Sequence, residues 1–276
     1  MMAGVNAKSQ EPLLAFVHIQ KTAGSTLKLV LQNSFCVQLC NLMPQVDPAA
    51  NEEDLIFAKK IYRFGLRCIS GHSLIGTSDH FETPLLRFTF LRDPIKRCLS
   101  HFLHNKRAAR RGGRSLSFYE FMEDQTMWNV QTKMIAGRED LEHAKRELAD
   151  YLFVGLTEKF DESLIALSKL SPHPLRLEYK RLHVTPNRDD RHEVLDDPEA
   201  YRLLHEANET DQHLYDHVCE SVYPQLIESA NLPVGSGPDE IGDLKHRTMR
   251  FWLSRWFQTG VYRQLVYRRR ARQQRS

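Results

Sequence analysis

The 276-residue sequence has no run of 18 apolar residues, and residues 1–10 contain no apolar segment of the kind found in signal peptides. Both absences argue against a membrane anchor or an export signal. The five cysteines are odd in number and lack paired C-x-x-C spacing, so neither a disulfide framework nor a zinc site is indicated. We therefore expect a cytoplasmic protein, at most peripheral at a membrane.

Internal repeats and long low-complexity tracts are also absent. With 41% hydrophobic residues, the chain is long enough for one sizeable domain and a helical extension. Apolar segments near 13–18, 66–70, 85–91 and 151–155 alternate with helix-like segments. Such alternation predicts an α/β fold with a central parallel sheet covered by helices.

Residues 16–27 predict a buried strand, a short glycine-containing loop and the start of a helix. Backbone N–H groups at a helix N-terminus lack intrahelical acceptors and lie at the positive end of the helix dipole, so they bind anions. Lys21 adds a positive charge, Gly24 lets the backbone approach a ligand closely, and Ser25 and Thr26 offer hydroxyl groups. This segment is a candidate phosphate-binding loop.

The order of these residues differs from that of nucleoside-triphosphatase loops. In G-x-x-x-x-G-K-[ST] the lysine follows the last glycine and the next hydroxyl holds magnesium, whereas Lys21 precedes Gly24. No strand-borne Asp has a clear claim to be a magnesium partner. A phosphate-containing donor that needs no metal fits this loop better than ATP does. A strand-turn-helix with incidental polar residues is the alternative.

A second apolar strand, predicted at 85–91, runs directly into Arg92, Asp93 and Pro94. Proline suits the first turn of a helix, and Asp93 is a plausible N-cap. Ser100 then lies about two turns inside this helix. Arg92 offers the forked donor geometry that suits phosphate, so Arg92 and Ser100 together predict a second phosphate site.

The segments 18–26 and 91–100 resemble the two phosphate loops of the PAPS-dependent carbohydrate sulfotransferases, and are closest to the heparan sulfate 6-O-sulfotransferase type. PAPS is 3′-phosphoadenosine 5′-phosphosulfate. The likeness spans residues 13 to 220. It includes, in the same order, Gly71-His72 and the segments 129–134, 154–158 and 208–215.

The resemblance implies a P-loop NTPase-like three-layer fold and sulfuryl transfer from PAPS to a carbohydrate hydroxyl without a metal. It implies that Arg92 and Ser100 bind the 3′-phosphate and that His72 is the catalytic base. The residues implied to bind the 5′-phosphosulfate are Lys21, Thr22, Gly24, Ser25 and Thr26.

The residue chemistry agrees with these roles. A histidine just after a short strand tends to lie at the carboxyl edge of an open α/β sheet, where ligands bind, and histidine titrates near neutrality. Lys21 suits the stabilisation of charge on a leaving phosphate oxygen. A surface histidine is the alternative for His72, in which case His104 and Glu158 are the next candidates for the base.

Two other functions remain open at this point. The first is a nucleotide-dependent phosphotransferase with a kinase-like strand-loop-helix cradle, which would require magnesium and ATP. The second is a protein without catalytic activity that binds a nucleotide or a glycan.

Charge is unevenly distributed along the chain. Residues 245–276 hold ten Lys/Arg and no Asp/Glu, whereas the other 244 residues carry 28 basic and 35 acidic groups, a net charge of −7. A basic helix with aromatic residues suits an anionic membrane surface or a polyanionic glycan. The acidic body makes nucleic acid an unexpected partner. Alternatively, the aromatic residues pack on the domain and the arginines are solvated. The predicted segments are an N-terminal arm (1–12), the main domain (13–230), a linker (231–244) and this tail (245–276).

Overall fold

A computed structural model describes residues 12–44, 49–76, 80–179, 189–232, 241–244 and 246–273. These residues form an α/β fold in which helices flank a five-stranded parallel sheet, as the sequence predicts. The strands of this sheet are β1 (Leu13–Val17), β2 (Leu39–Asn41), β3 (Cys68–Gly71), β4 (Leu85–Leu91) and β5 (Phe153–Leu156).

Helices form most of the connections between the strands of this sheet, and further helices come after β5 in the sequence. The helices up to β5 are α1 (Gly24–Phe35), α2 (Glu52–Ile61), α3 (Pro94–Arg111), α4 (Phe118–Glu123), α5 (Val130–Ala136) and α6 (Leu141–Ala149). Those after β5 are α7 (Phe160–Leu170), α8 (Asp189–Leu195), α9 (Pro198–Glu206), α10 (Glu209–His217), α11 (Tyr223–Ser229), α12 (Met249–Trp256) and α13 (Arg263–Gln273).

The sheet has the strand order β2-β3-β1-β4-β5, so β1 lies at its centre. β1 pairs in parallel with β3 through Leu14 and Cys68, and with β4 through Leu14 and Leu86. All five residues of β1 are buried, which fits a parallel strand covered on both faces. The carboxyl ends of the five strands therefore meet at one edge, and the loops that follow them converge there.

The sequence missed some short elements. β2 has only three residues, and α8 is a short segment rich in charged residues, so neither gave a clear periodic pattern. Between α10 and α11 the chain forms a π-helical turn at Val218–Val222. A parallel pair of two-residue strands, β6 (Glu178–Tyr179) and β7 (Gly242–Asp243), was also unpredicted.

The basic tail packs against the main domain. Phe257, Tyr262 and Val266 are buried in the same core cluster as the strands of the sheet. The side chain of Gln258 donates to the carbonyl oxygen of Asn41 at 2.9 Å and accepts from its N–H at 2.9 Å. These residues pack on the domain as the alternative for the tail predicts, whereas Trp252, Trp256 and Tyr267 of the same tail are exposed.

The predicted arm and linker are described only in small part, because residues 1–11 and 233–240 lie outside the described residues. Within the linker, Gly242 and Asp243 form β7 and pair with β6. This short stretch is therefore attached to the main domain through backbone hydrogen bonds.

Candidate active site

Three predicted site residues and one of the alternative bases each follow a different strand at the carboxyl edge of the sheet. Lys21 is in the loop after β1, His72 follows β3, Arg92 follows β4, and Glu158 follows β5. In open α/β sheets ligands bind at this edge, where the strand order changes direction. The topology thus collects residues that are up to 137 positions apart in the sequence.

The loop between β1 and α1 has an unusual backbone. Lys21 and Ala23 have φ angles of 70° and 62°, in the left-handed region that non-glycine residues seldom adopt. The backbone N–H groups of Ala23, Gly24 and Ser25 make no hydrogen bond to any described residue. Such strained loops with free N–H groups at a helix N-terminus are typical of anion sites.

The side chains of this loop divide into two groups. Thr22 is fully buried and its hydroxyl donates to the carbonyl oxygen of Ile19 at 3.0 Å, so this side chain shapes the loop. Thr26 is also buried, in the first turn of α1. Lys21 is partly exposed and Ser25 is exposed. The side chains available to a ligand are therefore mainly those of Lys21 and Ser25.

His18, which the sequence analysis did not single out, lies between the loop and His72. Its ring stacks on that of His72, with the ring centroids 4.0 Å apart. A Cβ atom on Gly24 would lie 1.8 Å from Nε2 of His18, so only glycine leaves room for this imidazole. The sequence did contain a signal for His18, because this histidine follows the apolar strand β1 directly, just as His72 follows β3.

His72 is exposed at the edge of the sheet. Its Nδ1 lies 2.5 Å from the carbonyl oxygen of His18, which can only accept a hydrogen bond. Partial desolvation of the ring lowers the pKa of His72; the hydrogen bond to the backbone of His18 opposes this shift, and the positive charge of Lys28 adds to it. Burial, followed by the charges of His72 and Lys28, lowers the pKa of His18 well below its usual value. Both imidazoles are therefore neutral at pH 7.

The second loop is fixed to the first. The guanidinium Nη1 of Arg92 donates to the carbonyl oxygen of Lys21 at 3.1 Å. The backbone of Arg92 forms two hydrogen bonds with the side chain of Gln131, at 2.9 and 2.8 Å. The Nε of Arg92 is buried and has no hydrogen-bond partner among the described residues. As predicted, Asp93 caps α3 by accepting from the N–H of Lys96 at 2.9 Å.

Ser100 lies inside α3 and is only 8% exposed. The neighbouring His101 was not identified from the sequence. Its pKa is lowered to about 4 by burial and by the positive charges of Arg97 and Lys21, with smaller contributions from His104 and His72. Nδ1 of His101 is buried without a partner among the described residues. The effect of Lys21 on His101 shows that α3 lies close to the first loop.

Positive charge concentrates around Lys21. Partial burial lowers the pKa of Lys21, and the charges of Arg92 and Arg107 lower it further. Glu158 lies on the Arg92 side of the site, where its carboxylate accepts from the N–H of Asp93 at 3.3 Å and from the hydroxyl of Tyr215 at 3.0 Å. Mutually repelling cations are favourable where an anionic ligand binds between them.

A buried network holds α5 and α10 behind this site. Asp211 accepts hydrogen bonds from the N–H groups of Gln131 and Thr132, at 3.0 and 2.7 Å, at the N-terminus of α5. Asn129 accepts from the N–H of Asp211 at 3.0 Å. Because Gln131 also binds the backbone of Arg92, the network fixes the position of the second loop. These residues belong to two segments that the sequence analysis had noted only by resemblance.

The sequence model of the sulfotransferase family matches residues 8–217, which is more than half of the chain. The chain belongs to the sulfotransferase family. Sulfotransferases transfer sulfuryl groups, and the α/β architecture with its strand-loop-helix cradle is the P-loop-like fold of this family. A comparison with curated proteins finds no match.

Two further observations concern the described part of the sulfotransferase. No described helix is long and apolar enough to cross a membrane. No group of three or more His, Cys, Asp or Glu side chains among the described residues is arranged to hold a metal ion.

Proposed function

We propose that this sulfotransferase moves the sulfuryl group of PAPS to a hydroxyl group of a sugar or polysaccharide, with His72 as the general base. The observation that carries the proposal is the orientation of His72 beside the anion-binding loop. Because the carbonyl oxygen of His18 only accepts, Nδ1 of His72 carries the proton of the 2.5 Å hydrogen bond. Nε2 is then the unprotonated nitrogen, which is the form that a general base requires.

The donor fits the polar groups at the two loops. Lys21, Ser25 and the free N–H groups of residues 23–25 would bind the 5′-phosphosulfate, with Gly24, Thr22 and Thr26 shaping this cradle. Arg92 and Ser100 would bind the 3′-phosphate. The buried Nε of Arg92, which has no partner in the part of the chain that the structure describes, supports this assignment, because a buried N–H donor without an acceptor is costly unless a ligand supplies one.

The residues would divide the reaction as follows. Nε2 of His72 takes the proton of the acceptor hydroxyl as its oxygen forms a bond to sulfur. The bond between sulfur and the 5′-phosphate oxygen breaks, and its electron pair stays on that oxygen, giving 3′-phosphoadenosine 5′-phosphate (PAP). Lys21 stabilises the charge that develops on the departing oxygen. Each of these steps uses groups that the fold brings to one edge of the sheet.

A carbohydrate acceptor, in the manner of the heparan sulfate 6-O-sulfotransferases, is proposed from the resemblance of both loops. The exposed Arg107 on α3 supports an acceptor that carries negative charge, because its charge acts on Lys21 at the first loop. The preferred acceptors to assay are therefore sulfated or uronate-containing oligosaccharides, compared with neutral ones of equal length.

A thermal-shift experiment with PAP, PAPS, ATP and ADP, each with and without magnesium, tests the donor class. We expect PAP and PAPS to raise the melting temperature without magnesium, and ATP and ADP to have little effect, because a ligand that binds the folded state stabilises it. Stabilisation by ATP that requires magnesium would instead favour the phosphotransferase. Stabilisation by PAP without turnover of any acceptor would favour a non-catalytic binding protein.

A further inference from the structure

The outer surface of the tail carries large apolar side chains that the main domain does not cover. On α12, Met249, Trp252, Leu253 and Trp256 are 76%, 53%, 43% and 62% exposed. Their spacing of three and four residues places them on one side of the helix. We call these four residues the outer face of α12. Contiguous exposed apolar groups of this kind typically mark an interaction surface.

The opposite side of α12 is attached to the domain. Phe251 is buried and packs with Leu29 of α1. The guanidinium of Arg250 donates to the carbonyl oxygens of Asn33 and Ser34, at 2.6 and 2.7 Å. Because these contacts fix the rotation of α12, its outer face points away from the core.

Positive charge borders the outer face. The guanidinium of Arg247 lies 5.7 Å from the ring centroid of Trp252. Arg255 is exposed on α12 itself. The whole tail, residues 245–276, contains ten Lys/Arg and no acidic residue. A basic surface with exposed tryptophans is complementary to an anionic interface.

We propose that the outer face of α12 and the arginines around it dock this protein on an anionic lipid surface. Tryptophan is favoured at the level of the lipid headgroups, and arginines pair with lipid phosphates. The exposed apolar side chains of Met249 and Leu253 favour a lipid surface over a soluble polyanion, because a soluble polyanion has no apolar phase to accept them. The inference does not rest on the proposed catalytic role of His72.

Co-sedimentation with vesicles of phosphatidylcholine, with and without phosphatidylglycerol, tests this inference. We expect the wild-type protein to bind the vesicles that contain phosphatidylglycerol and to be released by salt, because charges are screened beyond about 8–10 Å. In the double variant Trp252→Ser/Trp256→Ser, affinity should fall about tenfold or more. The matched control is Ile56→Ser/Tyr201→Ser, which removes two exposed apolar side chains from α2 and α9 and should bind as the wild type does.

A second readout uses tryptophan emission, since the chain has only three tryptophans and Trp128 is partly buried, its Nε1 donating to the carbonyl of Met122. Emission should shift to shorter wavelength when anionic vesicles are added. If the double variant is unstable, Met249→Glu, at the most exposed position of the outer face, replaces it. Undiminished vesicle binding by the variant would overturn the inference, as would a wild-type protein that binds heparin but not vesicles.

Discussion

The two nitrogens of His72 have different surroundings, and this difference defines its expected chemistry. Nδ1 is engaged by the backbone of His18, whereas Nε2 is the nitrogen left to meet a substrate. His18 affects His72 in two ways. Its backbone carbonyl accepts the hydrogen bond from Nδ1, and its ring stays neutral beside the ring of His72. A neutral partner matters because a protonated His18 would repel the proton that His72 must accept.

The first prediction concerns this base. His72→Ala should lower turnover by about 10²–10⁴, the usual contribution of a general base, while PAP binding stays close to that of the wild type. A variant of the exposed His205 on α9, His205→Ala, serves as the comparison and should keep normal turnover. If His72→Ala keeps more than about a tenth of wild-type turnover, the base lies elsewhere, with His104 and Glu158 as the next candidates.

The pH profile gives an independent check on the same residue. Only the neutral imidazole accepts a proton, so turnover should rise with pH as His72 deprotonates. Because the pKa of His72 in the free protein is lowered from its ordinary 6.5, mainly by burial, the midpoint of this rise measured as kcat/KM should lie below pH 6.5. A midpoint above 6.5 in the wild type would contradict the assigned environment of this ring.

Lys21 is expected to act on the departing oxygen. Lys21→Ala should lower turnover by about 10²–10³ without unfolding the protein, because it removes a charge that is most stabilising in the transition state. Lys169→Ala, which alters an exposed lysine on α7, is the control and should have normal activity. Near-normal turnover by folded Lys21→Ala would show that another group stabilises the leaving phosphate.

Arg92 and Ser100 are expected to recognise the 3′-phosphate. Their replacement by alanine, singly and together, should weaken the binding of PAP much more than that of adenosine 5′-phosphosulfate, which lacks this group. Calorimetry with both ligands measures the difference. Equal losses for the two ligands would mean that these residues support the loop without contacting the 3′-phosphate.

At the scale of elements, the sequence predicted those strands and helix starts that depend only on the residues of one segment. β1 is an apolar run of five residues, five of the seven residues of β4 are apolar, and the helix start at Pro94 is preceded by its own cap, so their positions follow from composition and spacing. His72 was predicted to lie at the carboxyl edge of the sheet because it follows a short strand, and it does follow β3. The contact between Arg92 and Lys21 shows that these two loops do meet.

What the sequence did not predict depends on contacts between distant segments. The role of Asp211 as a cap for α5 joins residues about 80 positions apart, and no periodic pattern encodes it. The close approach of His18 to Gly24 likewise arises only when the loop folds back. β2 is recognisable only beside β3, because three residues are too few to show a pattern.

At the scale of the whole molecule, the tail contributes to stability. Phe257→Ala should lower the free energy of unfolding by about 3–5 kcal/mol, the usual cost of removing a buried aromatic side chain. Tyr267→Ala, which alters a tail residue that is 40% exposed, is the control and should change it little. Urea denaturation of both variants measures the difference. Equal stabilities would show that the tail is only loosely attached to the core.

The burial of tail residues in the main core also has a consequence for synthesis of the protein. The central strand β1 leaves the ribosome well before Tyr262 and Val266, yet all of them belong to one core. The nascent chain therefore spends much of its translation time, at about 5–20 residues per second, with an incomplete core. We expect the native packing around the sheet to form only after translation has passed residue 266.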